Sequence, residues 1–326
     1  MHPFAQYIRT LGRGKKGSRD LSQEEARHAF AMILNNEVEP EQLGAFLMLV
    51  RVKEESPEEL AGFVQAAQTH LPTLTEPLEI DLDWSSYAGK RRHLPWFILS
   101  ALLLAENDVK ILMHGIRGRK DERIYTPDAL SFFDIQPMPS LEAAANEIRN
   151  KNFAFIDLNN LLPKLSELIE MREILGLRSP VHSLSRLLNP LKAPHVMQGI
   201  FHPGYKAIHR DAAALLDIPR ATILKGDGGE IEINPDIDNE TFNVTQSGHE
   251  AETWPAMFSE RHLKDQTMNA QRLIQAWRGE INDEYGEAAV VLTTAIAIKL
   301  LQKATDQQSA LKLAQSWWAN RQKDKY

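Results

Sequence analysis

The chain contains no cysteine, which excludes disulfides, Cys-ligated zinc and thiol nucleophiles together. No apolar run approaches the roughly 18 to 20 residues that a membrane span needs; the longest, Ala288 to Leu301, is interrupted by Lys299. Behind the basic residues Arg9, Arg13, Lys15, Lys16 and Arg19 there is no apolar stretch of the kind a secretory signal carries. A cytoplasmic protein with no membrane partner is the expectation. Helix-turn-helix, zinc-finger and RNP-type signatures are missing too, so base-specific readout of nucleic acid is not expected.

What is present is an ordinary globular composition of 326 residues, 43% hydrophobic and 25% charged. The net charge of -7 hides a segregation along the chain. Residues 227–260 hold nine acids and no Lys or Arg, whereas Met1–Arg19 has five basic residues and no acid. Lys90–Arg123 has eight basic residues against four acids. Segregated charge of this kind matters more than the average for a surface that attracts an anion.

Ser22 and Glu25, at capping-box spacing, open a helix with Ala26, Phe30, Ile33 and Leu34 on one face. A second helix is predicted over about 39–52, and a third opens at Ser56-Pro57-Glu58-Glu59 and runs to about His70. From Leu78 the pattern alternates with period two into Asp83, predicting a strand, then a loop over 84–93, an apolar helix over 94–105 and a strand over 109–113. Further strands are predicted at 152–157, 196–201, 220–225 and 230–234, among helices near 126–133, 140–149, 204–215, 262–278, 285–303 and 307–321. Residues 161–189 read as helical again. Strands alternating with helices point to an α/β sheet.

Several motifs occur in order along this scheme: Gln42-Leu43-Gly44-Ala45-Phe46-Leu47-Met48, Ser56-Pro57-Glu58-Glu59-Leu60-Ala61-Gly62, His114-Gly115-Ile116-Arg117, and Leu187-Leu188-Asn189-Pro190-Leu191 after Gly176-Leu177-Arg178. Together they resemble the anthranilate phosphoribosyltransferase family, also called glycosyltransferase family 3, which includes pyrimidine nucleoside phosphorylases. The resemblance implies a small α-helical domain (1–76 plus inserted helices at about 161–192) that commonly dimerises. It also implies a large α/β domain (77–160 and 193–326) with a central mixed, mostly parallel sheet.

The chain departs from the family where phosphoribosyl pyrophosphate would bind. The family's G-T-G-G-D loop wraps pyrophosphate with backbone amides, which glycine permits; here Trp84-Ser85-Ser86-Tyr87-Ala88-Gly89 offers one glycine and two bulky aromatics. In the family's K-H-G-N-R loop, Met113 and Ile116 replace lysine and asparagine. Of the paired acids that hold magnesium, Glu230 remains but Ile231 stands where the second belongs, leaving Glu230 and Glu232 as weak metal candidates and no cofactor as the expectation.

Under the family fold, Lys90, Arg91, Arg92 and His93 lie near Arg117, Arg119, Lys120 and Arg123, with Arg178, Arg186, Lys206, His209 and Arg210 on the opposite wall. A small pyrophosphate needs two or three such charges; this many suit a polyanion. Trp84, Tyr87 and Tyr205 are candidates to stack on unpaired bases, although Trp84 and Tyr87 are equally suited to packing between domains. Arg13, Lys15 and Lys16, between glycines, resemble a flexible phosphate-binding arm, with a solvated loop as the plain alternative. The expectation is a non-catalytic, sequence-independent binder of single-stranded DNA or RNA, acting as a homodimer. The alternative is a living transferase or phosphorylase on another phosphorylated substrate, using His114, Arg117, Glu230 and Glu232.

Overall fold

The computed structural model describes residues 1–14, 16–118, 122–245 and 247–326. The first helices are α1 (Ala5–Gly12), α2 (Gln23–Leu34), α3 (Pro40–Lys53) and α4 (Pro57–Gln68). Ser22 and Ser56 each close the capping box expected of them, with Glu25 and Glu59. Glu59 is fully buried and accepts from the backbone N–H groups of Leu21 and Ser56 and from Lys53 Nζ, so one carboxylate ties the starts of α2 and α4 to the end of α3. At Gly62 an added Cβ would lie 2.3 Å from Gln23 O, which is why α2 and α4 pack so closely.

The large unit follows in the order β1 (Leu82–Ser86), α5 (Phe97–Glu106), β2 (Ile111–Gly115), α6 (Thr126–Leu130), α7 (Leu141–Lys151) and β3 (Phe153–Asp157). Four short helices come next: α8 (Leu158–Leu161), α9 (Pro163–Glu170), α10 (Arg172–Leu175) and α11 (Val181–Leu184). The chain then runs through β4 (His195–Ile200), α12 (Tyr205–Leu215), β5 (Arg220–Lys225), β6 (Asn239–Thr245), β7 (Gly248–Trp254), α13 (Gln271–Arg278), α14 (Glu284–Leu300) and α15 (Gln307–Asn320).

The described strands form one sheet ordered β3-β2-β1-β4-β5-β6-β7, parallel from β3 to β5 and antiparallel at β6 and β7. One face is covered by α7 and α12 and by the helical unit, the other by α5 and α13 to α15, so that two cores sandwich the sheet. The strand order reverses between β1 and β4. In open α/β sheets the crevice outside the carboxyl ends of the strands at such a reversal is where ligands bind.

Several sequence readings need correction. The first strand lies at Leu82–Ser86, so residues 84–86, expected in a loop, belong to it, and the helix expected over 262–278 begins at Gln271. Residues 230–234 are not a strand: Glu232 N bonds Glu230 O in a local turn while Ile231 and Ile233 enter the core. Within the acidic region, where no strand is expected beyond 230–234, residues 239–254 form the β6–β7 hairpin, paired to β5 and largely exposed along β7. The N-terminal arm begins with a docked helix, because Phe4, Tyr7 and Leu11 are buried against the α3 side of the core. Arg13 and Lys16 follow it as exposed residues, and Lys15 lies outside the described residues.

Candidate functional site

Strand β1 delivers residues 87–93 to the crevice beside the end of β4. Its two aromatics point inward. Trp84 packs near Phe97 with ring centroids 6.4 Å apart, and Tyr87 Oη lies 2.7 Å from His114 Nδ1, whose Nε2 lies 3.3 Å from Asp83 Oδ2. All of these groups are buried. Neither Trp84 nor Tyr87 presents a face to a base, and His114 serves a structural chain of polar groups. The reason is the parallel ladder: period two places Trp84 in one core and leaves Tyr87, just past the strand, to close the other.

The backbone after Tyr87 still forms a small anion cradle, and the protein fills it itself. Ala88 N and Gly89 N each donate to Glu230 Oε1 at 2.6 Å. Gly89 has φ +66°, the left-handed conformation that points its N–H the same way as its neighbour's. Burial pushes the Glu230 carboxyl up, opposed by the Gly89 amide, the Arg186 charge and the Ala88 amide. Gly199 and Gly226 allow this inward approach, since a Cβ at either would meet the Glu230 backbone within 2.6 Å.

Beside the cradle, Lys90 is 0% exposed and its ammonium pairs with both Asp227 and Glu232. Glu232 Oε2 also accepts from Phe97 N at 2.9 Å. Burial alone would lower the Lys90 pKa, but the charges of Glu232 and Asp227 outweigh it and raise it. Burial pushes Glu232 up to about 7 against the pull of Lys90. The residues present therefore do not fit a divalent cation: an ammonium lies between the two acids, and the third carboxylate is bound to backbone amides.

The remaining cations divide into two groups. Lys90, His93, Lys206 and Arg210 are not offered to a ligand as the sequence suggested, and Arg186 borders a cavity with its guanidinium already bonded to carbonyls. His93 stacks on Tyr285 at 4.2 Å; Arg186 is buried, donating to the carbonyls of Gly199 and His182; Lys206 pairs with Glu240 and Arg210 with Asp211. His209 is buried against Gln198. By contrast Arg91 and Arg92 are exposed, and Arg117 is exposed while bridging to Asp128 at 2.7 Å. Arg123 is half-buried, donating to Ala88 O and Gly89 O at 2.9 Å. Arg119 and Lys120 lie outside the described residues.

Arg178 is half-buried beside Arg172, which sequence reasoning missed. Among the described residues neither they nor Arg123 and Arg186 make a salt bridge. Burial, then the positive charges of Arg186, Arg172 and Arg123, lower the Arg178 pKa to about 10. This is a cluster of guanidinium groups in which the neighbouring positive charges oppose one another, with Glu230 as a counter-charge to Arg123 and Arg186. A cavity of about 340 Å³ opens there, lined by Arg117, Arg172 and Arg178 together with Asp157, Glu170 and Glu173 among others. Arg51, whose Nη1 donates to Tyr205 Oη at 3.1 Å, stands with Arg178, Arg186 and Phe201 around a second cavity. Arg172, Arg51 and Phe201 belong to the site only because the helices of residues 158–187 fold back beside α4, a relation no local pattern encodes.

Comparison with known proteins places this arrangement. Residues 5–71 match the helical bundle domain of a glycosyl transferase family. The protein YbiB of Escherichia coli, itself uncharacterized, is 30% identical over 237 residues, covering 71% of this chain and 73% of YbiB. The anthranilate phosphoribosyltransferase of Oleidesulfovibrio alaskensis is 28% identical over 292 residues, 84% of this chain and 85% of the enzyme. The chain belongs to the anthranilate phosphoribosyltransferase-like family. Its fold matches that of the Thermus thermophilus anthranilate phosphoribosyltransferase at TM-score 0.80 and 22% identity, over 98% of this chain and 95% of the other. It also matches the Saccharomyces cerevisiae enzyme in complex with PRPP and Mg at TM-score 0.79 and 16% identity, over 99% and 96%. On this family scaffold, a carboxylate sits in the backbone cradle and an ammonium sits between the acids.

The buried histidines of the second cavity set a pH dependence. Burial first, and then nearby arginine charge, lower His209 and His182 to about 3. Both are neutral in the folded protein, and the unfolded chain binds protons near pH 6.5. Their contribution to stability is full above about pH 6.5 and is lost as pH falls from there toward 3, at up to about 1.4 kcal/mol per pH unit for each. Chemical denaturation at pH 7 and pH 5 should show a smaller loss in His209→Gln than in the parent; an equal loss would assign the pH effect elsewhere.

Proposed function

We propose that this protein binds nucleic acid without sequence preference through the crevice at the β1–β4 reversal, and that it does not transfer a phosphoribosyl group. The observation that carries the reading is the cluster of Arg123, Arg172 and Arg178, with no ion-pair partner among the described residues, near the exposed Arg91. Such a cluster stores repulsion that an anion relieves. A small pyrophosphate would need the cradle and the acids, and these are satisfied internally. A phosphate chain needs only a track of cations, which is what remains.

Fluorescence anisotropy with an oligonucleotide across a salt series tests this. About six phosphate contacts on a single strand give a log–log slope near −4, or roughly 300-fold weaker binding from about 50 to about 200 mM salt. No binding at low salt, or a flat response, would sink the reading.

A second reading, a phosphoribosyltransferase or phosphorylase, is favoured by the likeness to anthranilate phosphoribosyltransferases along most of the chain. Titration calorimetry with phosphoribosyl pyrophosphate decides it: micromolar binding that requires magnesium would support the enzyme and count against the filled cradle as a barrier.

A further inference from the structure

We infer that Phe201, with His202 perpendicular to it, is a base-stacking platform, so that the crevice selects unpaired strands over duplex. This rests on the nucleic-acid reading above and names the kind of nucleic acid. Phe201 is the first residue beyond β4, on the crevice side of the strand reversal. The preceding Ile200 is buried, while Phe201 is 45% exposed. The His202 ring stands perpendicular to it, with centroids 4.9 Å apart and planes at 88°.

Its position joins the two halves of the cationic site. A Cβ placed on Gly229 would lie 3.3 Å from Phe201 Cβ and 3.4 Å from Ala88 Cβ, so the base of the phenyl group is seated at the rim of the filled cradle. Arg123 holds the carbonyls of Ala88 and Gly89 on that rim. On its other side Phe201 shares a cavity with Arg51, Arg178 and Arg186. The aromatic residues expected from sequence to stack are committed elsewhere: Trp84 and Tyr87 are buried, and Tyr205 is half-buried and bound by Arg51.

A partly exposed phenyl ring that shares a cavity with Arg51 and Arg178 matches a nucleotide in both its parts, the base for the ring and the flanking phosphates for the cations. Every base has a π-face, so stacking adds affinity without sequence preference. In duplex those faces are already stacked on one another, and only the phosphates remain available to the protein.

The test uses the full chain with three fluorescent ligands of about 20 nucleotides: a single strand, its duplex, and an abasic single strand that keeps the phosphates. Phe201→Ala and Phe201→Leu should each weaken the normal single strand by roughly 5- to 150-fold while changing duplex and abasic binding by no more than about twofold. Phe201→Trp should retain affinity and gain an indole emission that is quenched by the normal strand and not by the abasic one. Equal binding of the single strand by the parent and Phe201→Ala would overturn the inference while leaving the nucleic-acid reading standing. The same holds for an equal loss on all three ligands. Failure of the parent to bind any of the three would overturn both.

Discussion

Reversing Arg91, Arg92 and Arg178 together to glutamate should weaken single-strand binding by at least about 100-fold at low salt and flatten the salt dependence. Three lost phosphate contacts reduce the magnitude of the log–log slope by about 2 on a single strand. The loss should be alike for unrelated sequences, because phosphate contacts position a strand without reading it. Arg178 supplies an internal check. Its pKa is lowered to about 10 by burial and by the neighbouring charges of Arg186, Arg172 and Arg123, so its charge is a burden on the folded state. Arg178→Gln should therefore bind more weakly while its thermal midpoint is unchanged or higher. A variant that binds less only because it is less folded would show a fall in both, and anisotropy paired with thermal melting separates the two cases.

Lys90 should behave in the opposite way. Lys90→Ala leaves Asp227 and Glu232 buried without their ammonium, and an uncompensated buried charge of this kind costs about 3–5 kcal/mol. The loss should appear in denaturant unfolding. It should be largely recovered in the triple variant Lys90→Met, Asp227→Asn, Glu232→Gln, since removing a whole buried ionic group is tolerated far better than removing one partner. Lys90→Ala should also acquire a rise in thermal midpoint with millimolar magnesium that the parent lacks, because the two carboxylates then face a vacated space. A stable Lys90→Ala with weakened oligonucleotide binding would mean that Lys90 reaches the ligand, contrary to its burial.

These two outcomes separate residues that sit next to each other in the chain. Lys90, Arg91 and Arg92 form one basic run, and nothing in the run distinguishes its first member. The distinction arises because Lys90 pairs in an antiparallel bridge with Ile124 and turns its side chain under the loop, while the next two residues turn out. Charge runs report composition, whereas ligand access depends on which side of the backbone each residue takes.

Legibility followed the range of the interaction. The capping boxes at Ser22 and Ser56 and the strands near β2 to β5 were readable because caps and period-two burial are local. So was the loss of the glycine-rich loop. The false strand at 230–234 had the right apolar alternation, yet its polar side chains bond to the loop after β1 instead of facing water. The β6–β7 hairpin was hidden because its outward face is acidic and its inward residues are few.

By itself, the sequence determined the family scaffold, the helical unit and the absence of glycines that could wrap a pyrophosphate, all of which depend on residue type at near neighbours. Only the tertiary structure decided what occupies that place. It set Glu230 into the backbone cradle, placed Lys90 between two acids, and gathered Arg123, Arg172 and Arg178, the last of which shares a cavity with Phe201. Each of these contacts joins residues far apart in the chain, and a buried charge finds its partner through the fold rather than through spacing.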